Sequence, residues 1–256
     1  MKLSLRFIAL GYLAALLVVP VGMVFYRAFE NGFAAAWDAV TTPPAQNAFF
    51  LTITITLIAV PLNAIFGVVT AWLLARYDFP GKRVLDVLID LPFAVSPVIV
   101  GLALILVWGR DGWFGSTEVI FSTPGMVLAT IFISLPFVVR EVLPVLEEEG
   151  TDQEQAASTL GARGRQVFWR ITLPTIRWGL TYGVILSTAR AIGEFGAVAV
   201  VSGKIQGRTE TMTLYVEDRF QSLDLAGAYA AGVVLALLGV AVLALTTLLQ
   251  RRHGRI

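Results

Sequence analysis

TDQEQAASTLGARGRQVFWRITLP, Thr151 to Pro174, is the longest polar run between two strongly apolar regions of the chain. Thr151-x-x-Glu154 has the form of a capping box, a hydroxyl followed three residues on by a carboxylate, and predicts a helix start. Gln155 follows, then Ala156, Ala157 and Leu160, which fall on one helical face. Gly161 stands where a helix ends in a left-handed residue. Two small side chains beside one leucine make a shallow, flat surface that suits docking against another protein. Arg163, Arg165 and Arg170 come next, and Ile171-Thr172-Leu173-Pro174 leads into the following apolar stretch.

Outward from this run the chain is apolar on both sides. Six segments have the ~20 apolar residues that a bilayer-crossing helix needs. They lie at about 7–29, 47–75, 84–108, 124–146, 175–201 and 226–249, which leaves 147–174 as a polar loop between the fourth and the fifth. Of the 256 residues, 57% are hydrophobic and 14% charged. A soluble domain carries about 25% charge. The mean hydropathy is +0.77. The class is therefore an all-α polytopic membrane protein, and one membrane domain, 1–256, accounts for the length. Lys2 and Arg6 precede the first segment as they would a signal peptide. That segment is longer than the ~7–15 apolar residues of a signal and ends in Phe25-Tyr26-Arg27 rather than in small residues, so it reads as a retained helix.

Lysine and arginine decide the orientation. With the N-terminus inside, thirteen of them fall on the inner side and five on the outer, Arg190 lying within a helix and being left out. Both termini and the Thr151–Pro174 run are then expected to be cytoplasmic. Ser202 to Leu225 is the longest outer loop. Asp78-Phe-Pro-Gly81 reads as a tight cytoplasmic turn.

Several residues are costly in a bilayer. The third segment carries Asp86 and Asp90 and then Leu91-Pro92-Phe-Ala-Val-Ser96-Pro97. Each proline removes a backbone donor, so this helix should kink or break. Irregular backbone at membrane depth survives only against protein or a water-filled cavity. Asp90, Ser96 and Pro97 are therefore candidates for a translocation pathway, with a buried packing kink as the alternative reading. In the fifth segment Arg190 lies roughly 20 Å beyond the helix start, near the midplane, where a charge costs about 2.5–3.5 kcal/mol. Glu194, four residues on, shares its face. The two are either pathway lining, with Arg190 offering positive potential to an anion, or a structural ion pair locking the helix to a neighbour, for instance through Asp90. Gly193 and Gly196 allow a close helix approach, and Gly179-x-x-x-Gly183 reads as a packing face. Asn63 is a weak signal. Trp72, Tyr77, Trp108 and Trp178 read as interface anchors.

Absences narrow the chemistry. There is no cysteine, and the one histidine, His253, sits in the basic tail, so no metal site and no His- or Cys-based catalysis is expected. Neither Gly81-Lys82 nor Gly203-Lys204 belongs to a phosphate-binding loop, and HExxH is missing. Asp86 and Asp90 leave an aspartyl-type intramembrane enzyme formally open. They lie one turn apart on one helix rather than on two facing helices, which argues against it. No nucleic-acid partner and no cofactor in this chain are expected. If this chain takes part in an ATP-driven process, the energy must arrive from a partner.

Gln155-Ala156-Ala157, three residues, Gly161, nine residues, Ile171-x-Leu173-Pro174 resembles the EAA loop of ABC-importer permeases, with Gln155 where that motif usually has Glu. Asp90-Leu-Pro-Phe-Ala-Val-Ser-Pro-Val98, Pro136-Phe-Val-Val-Arg-Glu141, Ile176-Arg-Trp-Gly-Leu180 and Ala189-Arg-Ala-Ile-Gly-Glu-Phe-Gly-Ala-Val198 are similar to the W-type permeases of bacterial sulfate/thiosulfate importers. The likeness runs from about Tyr12 to Gln250. It implies the type I ABC importer permease fold with a cytoplasmic coupling helix, alternating access, and an inner-membrane location. It also implies a companion T-type permease, a cytoplasmic ABC ATPase dimer that holds ATP and Mg, and a periplasmic sulfate-binding protein. Molybdate and tungstate permeases share the Arg190–Gly196 stretch in looser form, so that anion class, with a second copy of the chain as partner, is the alternative. By this resemblance Glu154, Gln155, Ala156, Ala157, Leu160 and Gly161 are the ATPase-coupling residues.

Overall fold

The computed structural model describes Arg6 and residues 10–115 and 119–253, with side chains to residue 244. Lys2, the first residues of the 7–29 segment and Arg255 lie outside the described residues, as do the side chains of Arg251, Arg252 and His253. Among the described residues every regular element is helical.

Helix α1, Leu10–Phe29, contains a π-helical turn at Ala14–Val18. Gly32, at φ 90°, turns the chain into the short α2, Phe33–Val40. Helix α3 runs for 34 residues, Pro43–Arg76. Gly81, at φ 94°, makes the expected tight turn into α4, Lys82–Ala94. Helix α5, Pro97–Trp108, starts at the second of the two prolines picked out above. Helix α6 is Thr123–Glu149. The polar loop holds α7, Asp152–Thr159, and α8, Gly164–Val167. A π-turn, Phe168–Thr172, leads directly into α9, Leu173–Ile192. Short α10, Gly196–Val201, follows, then α11, Met212–Gln221, and α12, Leu225–His253.

Four of these are long and apolar enough to cross a membrane: α1, α3, α6 and α12 over Leu225–Ala244. The α4–α5 pair makes a fifth if it counts as one span, but its two halves meet at 116°. The kink expected in the 84–108 segment is thus a sharp reversal, because Val95 is extended and Pro97 cannot continue the ladder. The remaining expected segment, 175–201, is not one helix. It breaks after Ile192 and resumes at Gly196. Arg177, Arg190 and a spread of glycine and hydroxyl side chains keep α9 less apolar than the other four.

The chain divides into two compact units. One comprises Met1–Leu51 and Ile205–Leu238. Its buried cluster is Ala45, Ala48, Met212, Tyr215 and Ala231. There the Tyr215 hydroxyl and Thr42 Oγ1 share a hydrogen bond of 3.3 Å. The other unit, Thr52–Lys204 with Gly239–Ile256, carries the candidate site. Its core joins α3, α4, α6 and α9 through Ala71, Leu74, Ile89, Val138, Val142, Leu146 and Ile176. Glycines set the spacing between α6 and α9. A Cβ on Gly179 would lie 2.5 Å from the Glu141 carbonyl oxygen, and one on Gly183 2.8 Å from Val138 Cα. The Gly179-x-x-x-Gly183 face is therefore a packing face.

Candidate functional site

Helix α7 begins where expected but not by the expected device. Thr151 is its N-cap, yet its side chain makes no capping bond. Thr151 Oγ1 instead accepts from Gln155 Nε2 at 2.8 Å. Glu154 has turned away to stronger donors. Arg76, at the end of α3, donates Nε to Glu154 Oε2 at 3.0 Å and Nη2 to Oε1 at 3.3 Å. The Thr172 hydroxyl donates to Glu154 Oε1 at 2.8 Å, and Arg76 Nη1 donates to the Leu146 carbonyl at the end of α6 at 2.8 Å. A bidentate guanidinium fork, charged on both sides, outcompetes a single backbone N–H for the carboxylate.

The other end of α7 is closed as the sequence predicts. Gly161 has φ 85°. Its N–H donates to the Ser158 carbonyl, and the Ala162 N–H donates to the Ala157 carbonyl, each at 3.0 Å. That pair of bonds is the Schellman closure, which satisfies carbonyls that a helix end would leave orphaned. Between the two ends, Gln155 and Ala156 are exposed, Ala157 is half-buried and Leu160 is 89% exposed. The flat face read from Ala156, Ala157 and Leu160 exists, and among the described residues nothing covers Leu160. Trp169, 58% exposed on the π-turn, was missed by the sequence reading. An aromatic residue inside a polar run was the signal available.

The acidic pair of α4 has a partner that the sequence did not indicate. Arg140, on α6, donates Nε to Asp90 Oδ1 at 2.7 Å and Nη2 to Oδ2 at 2.6 Å. Its Nη1 lies 2.8 Å from Asp86 Oδ1. Asp90 is therefore not the link to Arg190 considered above. Both carboxylates sit on one guanidinium, which is a structural arrangement and not the facing acid pair of an aspartyl enzyme. Beside them lies a cavity of about 450 Å³ lined by Leu74, Asp78, Lys82, Arg83, Asp86, Arg140, Leu143 and Glu147.

Arg190 and Glu194 do pair, Nη1 to Oε2 at 2.6 Å, with side-chain exposures of 30% and 2%. The other Glu194 oxygen accepts the Ala197 N–H at 2.9 Å and so caps α10. The carboxylate thus bridges the break between α9 and α10. This break lies against the one between α4 and α5. A Cβ on Gly196 would stand 2.9 Å from Pro97 Cβ, and one on Gly101 2.7 Å from Val200 Cβ. Ser96 and Pro97 are thus brought beside the Arg190–Glu194 turn, while Asp90 is held on Arg140. Buried Asn63 was underrated. Its Nδ2 donates to Ser134 Oγ at 2.7 Å and Ser187 Oγ at 3.4 Å, joining α3, α6 and α9. Among the described residues, no group of three or more His, Cys, Asp or Glu side chains is placed to hold a metal ion.

Residues 63–255 match the family described as binding-protein-dependent transport system inner membrane component. The chain belongs to this family. It is 51% identical to the sulfate transport system permease protein CysW of Synechocystis sp., over 99% of this chain and 94% of that protein. It is 38% identical to the sulfate transport system permease protein CysT of Synechococcus elongatus, over 95% of this chain and 90% of that one. In three dimensions it is similar to a chain in the crystal structure of a bacterial ABC transporter involved in the import of the acidic polysaccharide alginate. The TM-score is 0.82 over 99% of this chain and 96% of that chain, at 15% identity. The permease therefore has the all-helical ABC importer permease fold. It is an inner-membrane transport subunit and not a catalytic one, and it works with the other parts of an ABC transport system.

Proposed function

We propose that the permease carries sulfate or thiosulfate across the inner membrane by alternating access, as the W-type half of an ATP-driven importer. The observation that carries this reading is the 51% identity to a W-type sulfate permease over nearly the whole of both chains, against 38% to a T-type one. A T-type permease is then its partner, in preference to a second copy of itself. A periplasmic sulfate-binding protein delivers the anion, and a pair of cytoplasmic ATPase subunits binds ATP and Mg and hydrolyses the ATP.

Helix α7 is the handle that the ATPase grips. Its support is an uncovered face, Gln155, Ala156 and Leu160, on a loop that the thirteen-to-five charge bias assigns to the cytoplasm together with both termini. The pathway runs past the crossing of the two broken helices, where Pro97, next to Ser96, packs against Gly196, two residues past the Arg190–Glu194 pair. Broken backbone at membrane depth there argues for a polar route. The Arg190 positive charge, balanced by Glu194, draws a dianion without trapping it. Asp90 acts by holding Arg140 and not by touching the anion.

Uptake of radiolabelled sulfate tests the reading. The permease is reconstituted in proteoliposomes with its T-type partner, the ATPase and the binding protein. Uptake is expected to require ATP and to be competed by thiosulfate. ATP-dependent uptake of molybdate or tungstate with none of sulfate overturns the substrate assignment.

A further inference from the structure

We infer that Arg76 and Glu154 form a latch that converts a pull on α7 into motion of the transmembrane helices, which makes Glu154 a positioning residue and not an ATPase contact. Helix α7 has eight residues, none of them buried. A helix this short has no stability of its own in water. It hangs between Gly150 at φ 64° and Gly161 at φ 85°, two left-handed glycines on which the segment turns. Without a tether, a force applied to it would swing α7 about those glycines and reach nothing else.

The tether is the Glu154 carboxylate. Arg76 and Glu154 side chains are only 9% and 18% exposed. The guanidinium grips Glu154 by two nitrogens and the Leu146 carbonyl by the third, and the Thr172 hydroxyl completes the carboxylate. One ion pair therefore fastens α7 to the last turn of α3, the last turns of α6 and the π-turn that opens α9. A planar fork with fixed directions transmits displacement as well as attraction. Neighbouring Gln155 is exposed, and among the described residues its side chain bonds only to Thr151 within its own turn, so it carries none of this load.

The inference rests on α7 being the ATPase grip, and the test separates the two. The full transporter is assembled in proteoliposomes, and two quantities are read: anion taken up per ATP hydrolysed, and ATPase subunit retained per permease. For Arg76→Ala and Glu154→Ala, uptake per ATP is expected to fall about tenfold, the scale of one charged hydrogen-bonded contact, with the ATPase retained. The double variant is expected to be no worse than either single one, since the two side chains act as a unit. Arg76→Lys and Thr172→Val each remove only part of the network and are expected to give intermediate ratios. Should the alanine variants fail to accumulate as folded permease in the membrane, these two carry the test. An unchanged ratio in them, losses that multiply in the double variant, or loss of the ATPase from Glu154→Ala would each overturn the latch. Leu160→Asp, on the open face, is expected to shed the ATPase. If it keeps the ATPase and full uptake, the grip assignment fails, whatever the latch variants show.

Discussion

Gly161 closes α7 in a left-handed conformation that a β-branched side chain resists by about 1–2 kcal/mol. With open space around its Cα, backbone strain is the whole effect of a substitution there. We expect Gly161→Val to leave permease abundance unchanged and to lower anion uptake several-fold by misdirecting Leu160, with uptake in proteoliposomes as the measurement. Glu210 is a second residue with a local consequence. It is 5% exposed, and among the described residues its Oε2 has no hydrogen-bond partner. Burial, and then the nearby Asp218 charge, push its carboxyl up to about 7 from 4.5, with Arg219 opposing. The folded state therefore holds this proton more tightly than the unfolded chain does. Its contribution to stability is full below about pH 4.5 and is lost as pH rises through about 7. We expect the Tm of the purified permease to fall between pH 5 and pH 8, and Glu210→Gln to remove most of that slope. A parallel fall in the variant would locate the titration elsewhere.

At the scale of elements, two contacts organise the larger unit. The α6–α9 seam depends on glycine where backbone meets backbone. A Gly179→Leu side chain would run into the Glu141 carbonyl, which cannot move without its helix. Overpacking of this kind costs about 1–3 kcal/mol, and lower yield of assembled transporter with a lower Tm is expected. The α4–α6 contact depends on Arg140 and the two aspartates. Removing the guanidinium leaves two neighbouring carboxylates without their cation. The side chains are 32–47% exposed, so the loss lies well under the buried-pair limit. About 1–2 kcal/mol is expected for Arg140→Ala, read as a drop in Tm that Asp86→Asn combined with Asp90→Asn partly reverses. The sequence announced this element only in part. Pro92 and Pro97 told that α4 and α5 would not be one straight helix. They did not tell that the break would reach 116° or that it would lie against the Gly196 turn. Proline removes a hydrogen bond locally, whereas the angle is set by the neighbour that the freed backbone packs on.

For the whole molecule, the side of the membrane that α7 faces can be read directly, because the chain has no cysteine. A single Ala156→Cys is expected to resist a membrane-impermeant maleimide in intact cells and to react after the inner membrane is opened. Labelling in intact cells would invert the topology and remove α7 as a grip for an ATPase. Class, the polar run and the two ends of α7 were legible in the sequence, whereas the helix that follows begins at Gly164, about ten residues before the expected end of the loop. Runs of apolar residues, charge bias and terminating glycines are properties of contiguous residues, and their free energies accumulate along the chain without reference to the fold. The ion pairs were not legible. Arg76 and Glu154 are 78 residues apart, Arg140 and Asp90 are 50 apart, and Asn63 and Ser134 are 71 apart. Many arginines and acids compete for one another at such separations, and helix packing alone settles which of them meet. The sequence by itself determined that this is a helical membrane protein with a polar run between two apolar regions. Only the tertiary structure decided that Glu154 faces inward onto Arg76, that Arg140 takes both aspartates, and that two broken helices cross at their breaks. Those outcomes depend on distances that no local property of the chain contains.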